Sequence, residues 1–168
     1  MKKKLTIFLT ASILLAAVGM ETACTKGGTL TTITGSRYTI TAAASAKQLV
    51  PAIDTSSTGS LTGLYDEDAN IFTYTLSWND LWKDSRKDTI TSISFYGPAN
   101  AGANGQLVRT LPFVNPNKAG SINLGLSGNN GLKGNEINDF LAGTYYFTVN
   151  TKRYGTGIIR GQLSVQKQ

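Results

Sequence analysis

The run Ile71-Phe72-Thr73-Tyr74-Thr75-Leu76-Ser77-Trp78 decides the fold. Phe72, Tyr74, Leu76 and Trp78 occupy every second position, with Thr73, Thr75 and Ser77 between them. A period of two places the large apolar side chains on one face of a pleated strand and the hydroxyls on the other. The pattern therefore predicts a strand with one buried side. Asp66-Glu67-Asp68-Ala69-Asn70 just before it is a cluster of turn formers. Before that, Ser60-Leu61-Thr62-Gly63-Leu64-Tyr65 alternates in the same way. Two alternating runs about a short polar turn read as a β-hairpin.

Working outward, residues 89–96 alternate again, with Ile93 and Phe95 on one face, and Gly97-Pro98 ends the run. Short strands are expected at residues 106–111 and 121–126, with loops at 112–119 and 128–134. Residues 136–141 read as one helical turn, capped by Asn135 and ended by Gly143. Residues 144–151 form a strand with Tyr145, Phe147 and Val149 on one face, so of Tyr145 and Tyr146 one is core and the other surface. Residues 158–165 form the last strand. Residues 48–53 contain Pro51, which cannot donate to a ladder, and read as an edge strand or a strand entrance. Seven or eight short strands separated by turns predict an all-β, antiparallel sandwich or barrel. No internal repeat is evident.

The 168 residues suit one domain of ordinary size. With 40% apolar and only 15% charged residues, the chain lacks the composition of a disordered tail. Lys2-Lys3-Lys4 followed by the apolar residues 5–18 has the layout of a secretory signal. The apolar stretch is shorter than the roughly 20 residues a bilayer span needs. Cys24, the sole cysteine, follows the small residue Ala23 in the manner of a bacterial lipoprotein signal, although Glu21 stands where an aliphatic residue is usual. A lone cysteine cannot staple the fold, and lipid attachment at Cys24 gives it a use. The expected organisation is a signal segment at 1–23, a Thr- and Gly-rich tether at 24–46 and a folded domain at 47–168. Removing Lys2, Lys3, Lys4 and Glu21 with the signal leaves a net charge of +4. Lys83, Arg86 and Lys87 form the one basic cluster, and Asp80, Asp84 and Asp88 interleave with it. A nucleic-acid partner needs a one-signed patch, so none is expected.

From Gln48 onward the chain resembles a CHRD domain, the module named after chordin and common in bacterial exported proteins. The resemblance rests on Leu61-Thr62-Gly63-Leu64-Tyr65-Asp66, on Phe72-Thr73-Tyr74-Thr75-Leu76-Ser77-Trp78, on Gly97-Pro98-Ala99, on Ala142-Gly143-Thr144-Tyr145-Tyr146, and on Gly157-Ile158-Ile159-Arg160-Gly161-Gln162-Leu163, in family order. It implies an immunoglobulin-like β-sandwich and no established enzymatic activity. Many members carry a His-x-His before the Gly-Pro-Ala and a further His after the Tyr-Tyr strand. Here those positions hold Ser94, Tyr96 and Asn150, so no metal or pH-dependent role of those histidines carries over.

The chain has no histidine. That removes Ser–His and Cys–His nucleophile pairs and the imidazole ligands of zinc and copper sites, and no cofactor is expected. Asp66, Asp68 and Asn70 have the spacing that opens a calcium loop, but Ile71 stands where Gly is needed and Ser77 where a bidentate Glu belongs. A hairpin turn is the reading taken; a weak calcium site that stabilises an adhesion module is the alternative. Asp66, Glu67 and Asp68 crowd one turn while Glu136 and Asp139 lie elsewhere, so nothing sets two acids across a cleft for a polysaccharide hydrolase. Trp82, beside Lys83 in a polar loop, either caps the sandwich edge or anchors a partner. Arg160 lies between apolar neighbours, fitted for a structural hydrogen bond, an ion pair or a ligand contact. The expected function is a non-enzymatic binding or structural module of the cell envelope, held to a membrane by its N-terminal lipid, with a protein or polysaccharide as partner.

Overall fold

The computed structural model describes residues 35–83 and 88–168. The signal segment, Cys24 and the first part of the tether lie outside them, as do Asp84, Arg86 and Lys87. Among the described residues there are nine antiparallel strands: β1 (Arg37–Ser45), β2 (Thr58–Asp66), β3 (Ile71–Asn79), β4 (Ile90–Tyr96), β5 (Leu107–Asn115), β6 (Gly120–Leu126), β7 (Tyr146–Thr151), β8 (Ile159–Gln162) and β9 (Ser164–Lys167). A single α-helix, α1 (Asn135–Leu141), precedes β7.

The strands form one curled sheet in the order β5-β4-β7-β8-β1-β2-β3-β6, with β9 also on β1. β1 joins the two halves. It pairs with β2 from Arg37↔Asp66 to Ser45↔Thr58. Its other edge pairs with β8 at Ala44 and Ser45 and with β9 from Tyr38 to Thr41. The break between β8 and β9 falls at Leu163, whose side chain is buried. Curling brings the alternating face of β3 onto that of β4. Phe72 and Tyr74 meet Phe95 edge-on, with ring centroids at 6.2 and 5.5 Å. Each such pair adds about 0.5–1.5 kcal/mol to the area it buries. α1 closes the end of the core with Phe140, which packs edge-on against Tyr65, Phe72 and Tyr145.

The all-β class holds, with corrections to its parts. The strands number nine, and their ladder runs unbroken through β1 rather than splitting into separate sheets. The stretch read as tether to residue 46 contains β1, a central strand. Residues 48–53 are not a strand; a short 3-10 turn (Ala46–Gln48) leads into an irregular connection. β5 runs on through Pro112 to Asn115, because at the sheet edge a missing N–H is tolerated. The N-cap of α1 is Gly134 rather than Asn135. Tyr145 and Tyr146 point to opposite faces, yet both are buried.

Candidate functional site

The β1–β2 connection, the β3–β4 loop and the β7–β8 turn meet at one end of the sheet. Asp54, Ser56, Asp80, Trp82, Asp88 and Tyr154 are among the residues lining a cavity of about 340 Å³ between them. Asp88 holds this end together. Its Oδ1 accepts from the Thr89 N–H at 2.8 Å and the Arg153 N–H at 3.2 Å, and its Oδ2 from the Thr151 hydroxyl at 2.7 Å. Asp80 accepts from the Ser56 hydroxyl and faces Lys118 at 3.9 Å. Both acids are thus occupied by protein donors. Trp82 packs against the core with its ring half-buried. Its indole N–H is buried and has no acceptor among the described residues, an arrangement that costs about 1–3 kcal/mol unless something accepts it.

A second site lies on the outer face of β4, β7 and β8. Register builds it. Tyr96 pairs with Tyr146 and Ser94 with Thr148 across β4–β7, and Thr148 pairs with Arg160 across β7–β8. Tyr96 and Tyr146 stack at 5.1 Å with planes 7° apart, and the Arg160 guanidinium sits 3.5 Å from the centre of the Tyr146 ring. Arg160 is only 1% exposed. Its hydrogen bonds are long and go to neutral acceptors: Asn104 Oδ1 at 3.5 Å, the Asn100 carbonyl at 3.4 Å and Gln162 Oε1 at 3.3 Å. Burial pulls its pKa below the ordinary arginine value, with the nearby Tyr146 pushing the other way. Gly157 fits against this face because it has no side chain. Its φ is +127°, and an added Cβ would stand 2.9 Å from Thr148 Cβ.

The positions at which many CHRD members carry histidine fall on this face too. Ser94 and Asn150 come together: the Asn150 amide donates to the Ser94 hydroxyl at 2.8 Å and the Ser92 hydroxyl at 3.0 Å, and accepts from Thr148 Oγ1 at 2.7 Å. Tyr96 instead joins the tyrosine stack. Hydroxyls and an amide satisfy one another where imidazoles would stand. No group of three or more His, Cys, Asp or Glu side chains is placed to hold a metal among the described residues.

The Asp66–Asn70 turn does not gather its oxygens. Asp66 pairs with Arg37 at 3.2 Å and accepts from the Ala69 N–H. That amide, with Arg37 beside it, holds the Asp66 carboxyl below its usual range against a smaller opposing effect of burial. Asp68 accepts from the Gly35 N–H at 2.7 Å. Asn70 is left-handed (φ +50°), accepts from the Tyr65 hydroxyl and donates to the Leu132 carbonyl. Of the residues singled out from sequence, Trp82 and Arg160 line cavities, the three turn residues are spent on the fold, and Cys24 lies outside the described residues. Asp88 and the Tyr96–Tyr146 stack were missed. Strand register creates the stack, and an aspartate in a charged loop carries no sign of its partners.

These features define an antiparallel β-sheet module with one cavity between loops and another on its outer face. The CHRD domain profile matches residues 40–163, and the chain belongs to the CHRD domain family. No curated protein and no solved structure matches it.

Proposed function

We propose that this CHRD domain is a non-enzymatic binding module, exported and held at the bacterial cell envelope by lipid on Cys24, and that its loop end recognises a polysaccharide. The observation that carries the binding role is the Trp82 cavity. An aromatic surface from Trp82 and Tyr154 stands beside the polar side chains of Asp54, Ser56, Lys83 and Arg153. Sugars present both apolar C–H faces and hydroxyls, so a mixed aromatic and polar wall is complementary to them. Loops carried on a rigid sheet are the usual place for such recognition.

A carboxylate-dependent hydrolase is the competing reading, since Asp54, Asp80 and Asp88 all border the cavity. Glycoside hydrolysis needs two carboxyl groups open to the bond being cleaved. Asp80 and Asp88 are instead occupied by Ser56, Thr89, Thr151 and Arg153, which supports binding over cleavage.

Retention of the purified chain on immobilised envelope polysaccharide tests the binding role. Wild type should be retained, Trp82→Ala should lose retention at least tenfold, and no reducing ends should accumulate. Equal retention of Trp82→Ala removes the loop-end site; release of reducing ends restores the hydrolase. Mass spectrometry of the protein from membranes tests the anchor: the N-terminal residue should be Cys24 carrying acyl chains, and an unmodified thiol there would refute it.

A further inference from the structure

Arg160 lies between two cavities. The larger, about 470 Å³, has Val50, Pro51, Tyr96, Tyr146 and Arg160 among its lining residues. The smaller, about 190 Å³, shares Leu49, Val50 and Arg160 with it and adds Lys47 and Gln162. No Asp or Glu is among the described residues that line either one. A guanidinium taken out of water needs an anion or good hydrogen bonds to offset its lost hydration. Arg160 has neither in full: an aromatic face and three acceptors at 3.3–3.5 Å, with no carboxylate within ion-pair distance among the described residues. Arg109 shows what completion looks like in the same molecule. Its guanidinium meets both oxygens of Glu136, at 2.6 and 3.2 Å.

We infer that the cavity under residues 49–53 is a binding site for a small carboxylate with an apolar body. Its carboxylate would meet the guanidinium of Arg160, with Lys47 adding positive charge from the neighbouring cavity. Its body would lie among Leu49, Val50, Pro51 and the Tyr96–Tyr146 stack. The planar guanidinium matches a carboxylate in two parallel hydrogen bonds, and the cavity falls within the 300–1,000 Å³ usual for small-molecule sites. The site is separate from the Trp82 cavity, and the inference stands whether or not the loop end takes a polysaccharide.

Benzoate is a suitable probe, with benzamide as its uncharged counterpart. Thermal melts and calorimetric titration of the purified chain should show that benzoate binds and raises the melting temperature, and that benzamide binds at least tenfold more weakly. Arg160→Gln should reduce benzoate affinity at least tenfold. Because that change lies in the interior, Val50→Glu supplies an independent variant: Val50 is 39% exposed at the cavity rim. A carboxylate placed there competes for Arg160, so benzoate affinity should fall at least fivefold while the melting temperature without ligand is kept or raised. Equal affinity for benzoate and benzamide, absence of benzoate binding, or unchanged affinity in Val50→Glu would each overturn the inference. So would tighter binding of inorganic phosphate than of benzoate.

Discussion

Asp88 and Arg160 are both buried charges on the same half of the sheet, and the fold treats them in opposite ways. Asp88 is 7% exposed and receives three donors at 2.7–3.2 Å, which tie the β3–β4 loop to the β7–β8 turn. Arg160 is more deeply buried, yet its three acceptors are neutral and lie at 3.3–3.5 Å. The first charge is completed by the chain and serves its architecture. The second is left with unused hydrogen-bonding capacity beside open volume. A buried charge therefore reads as structural or as ligand-directed according to how fully the surrounding chain satisfies it, and burial alone does not separate the two.

The sharpest way to break that contrast is Asp88→Ala. It removes the acceptor of a buried hydroxyl and of two part-buried backbone N–H groups, and should cost about 3 kcal/mol in denaturant unfolding. Tyr74→Phe probes the opposite extreme, a buried hydroxyl with no partner among the described residues; burial alone raises its pKa. Removing that oxygen should stabilise the chain by about 1 kcal/mol on the same measurement, since an unsatisfied polar group is lost and the ring stays. Arg160→Met should change stability by less than about 1 kcal/mol, because an apolar side chain of similar length relieves the desolvation that the guanidinium suffers. A loss as large as that of Asp88→Ala would place Arg160 among the structural charges and end the comparison.

The smallest effect belongs to the exposed turn. Asp66 has a folded-state pKa below its unfolded one, so its contribution is present above the unfolded pKa and is lost as pH falls through the folded value. Melting temperatures of wild type and Asp66→Asn should differ at neutral pH and converge in acid below about pH 4. Calcium or chelator should leave both unchanged, because Asp66, Asp68 and Asn70 are held by separate partners. A calcium-dependent rise in wild type alone would revive the calcium site.

Much of the sheet could be read from side-chain alternation, most plainly in β3, where Phe72, Tyr74, Leu76 and Trp78 all face the core. β1 could not. Its inward positions are Ile40, Ala42 and Ala44, and alanines give little hydrophobic contrast. They are small because neighbouring strands come close: a Cβ on Gly161 would stand 3.1 Å from Ala44 Cβ. β5 was cut short by Pro112, whose cost vanishes at a sheet edge that only the topology reveals. At the sites, Trp82 and Arg160 stood out as residue types, but the cavities around them did not. The Tyr96–Tyr146–Arg160 stack depends on pairing between strands far apart in sequence, and the roof over it comes from a segment whose Pro51 suggested only a strand end.

β1 also sets how the molecule bears load. It is the first strand among the described residues, clasped by β2 along one edge and by β8 and β9 along the other. The last residue returns to the same place, with the Gln168 N–H donating to the Arg37 carbonyl at 2.9 Å. In a chain anchored at Cys24, as proposed above, tension from the membrane would reach the described residues at the start of this strand. It must slide two ladders at once before anything gives, whereas a strand on the rim would peel off bond by bond. If the proposed anchor at Cys24 is correct, a pull applied to this central strand would meet two ladders loaded in shear, and the domain would be hard to unravel from that side.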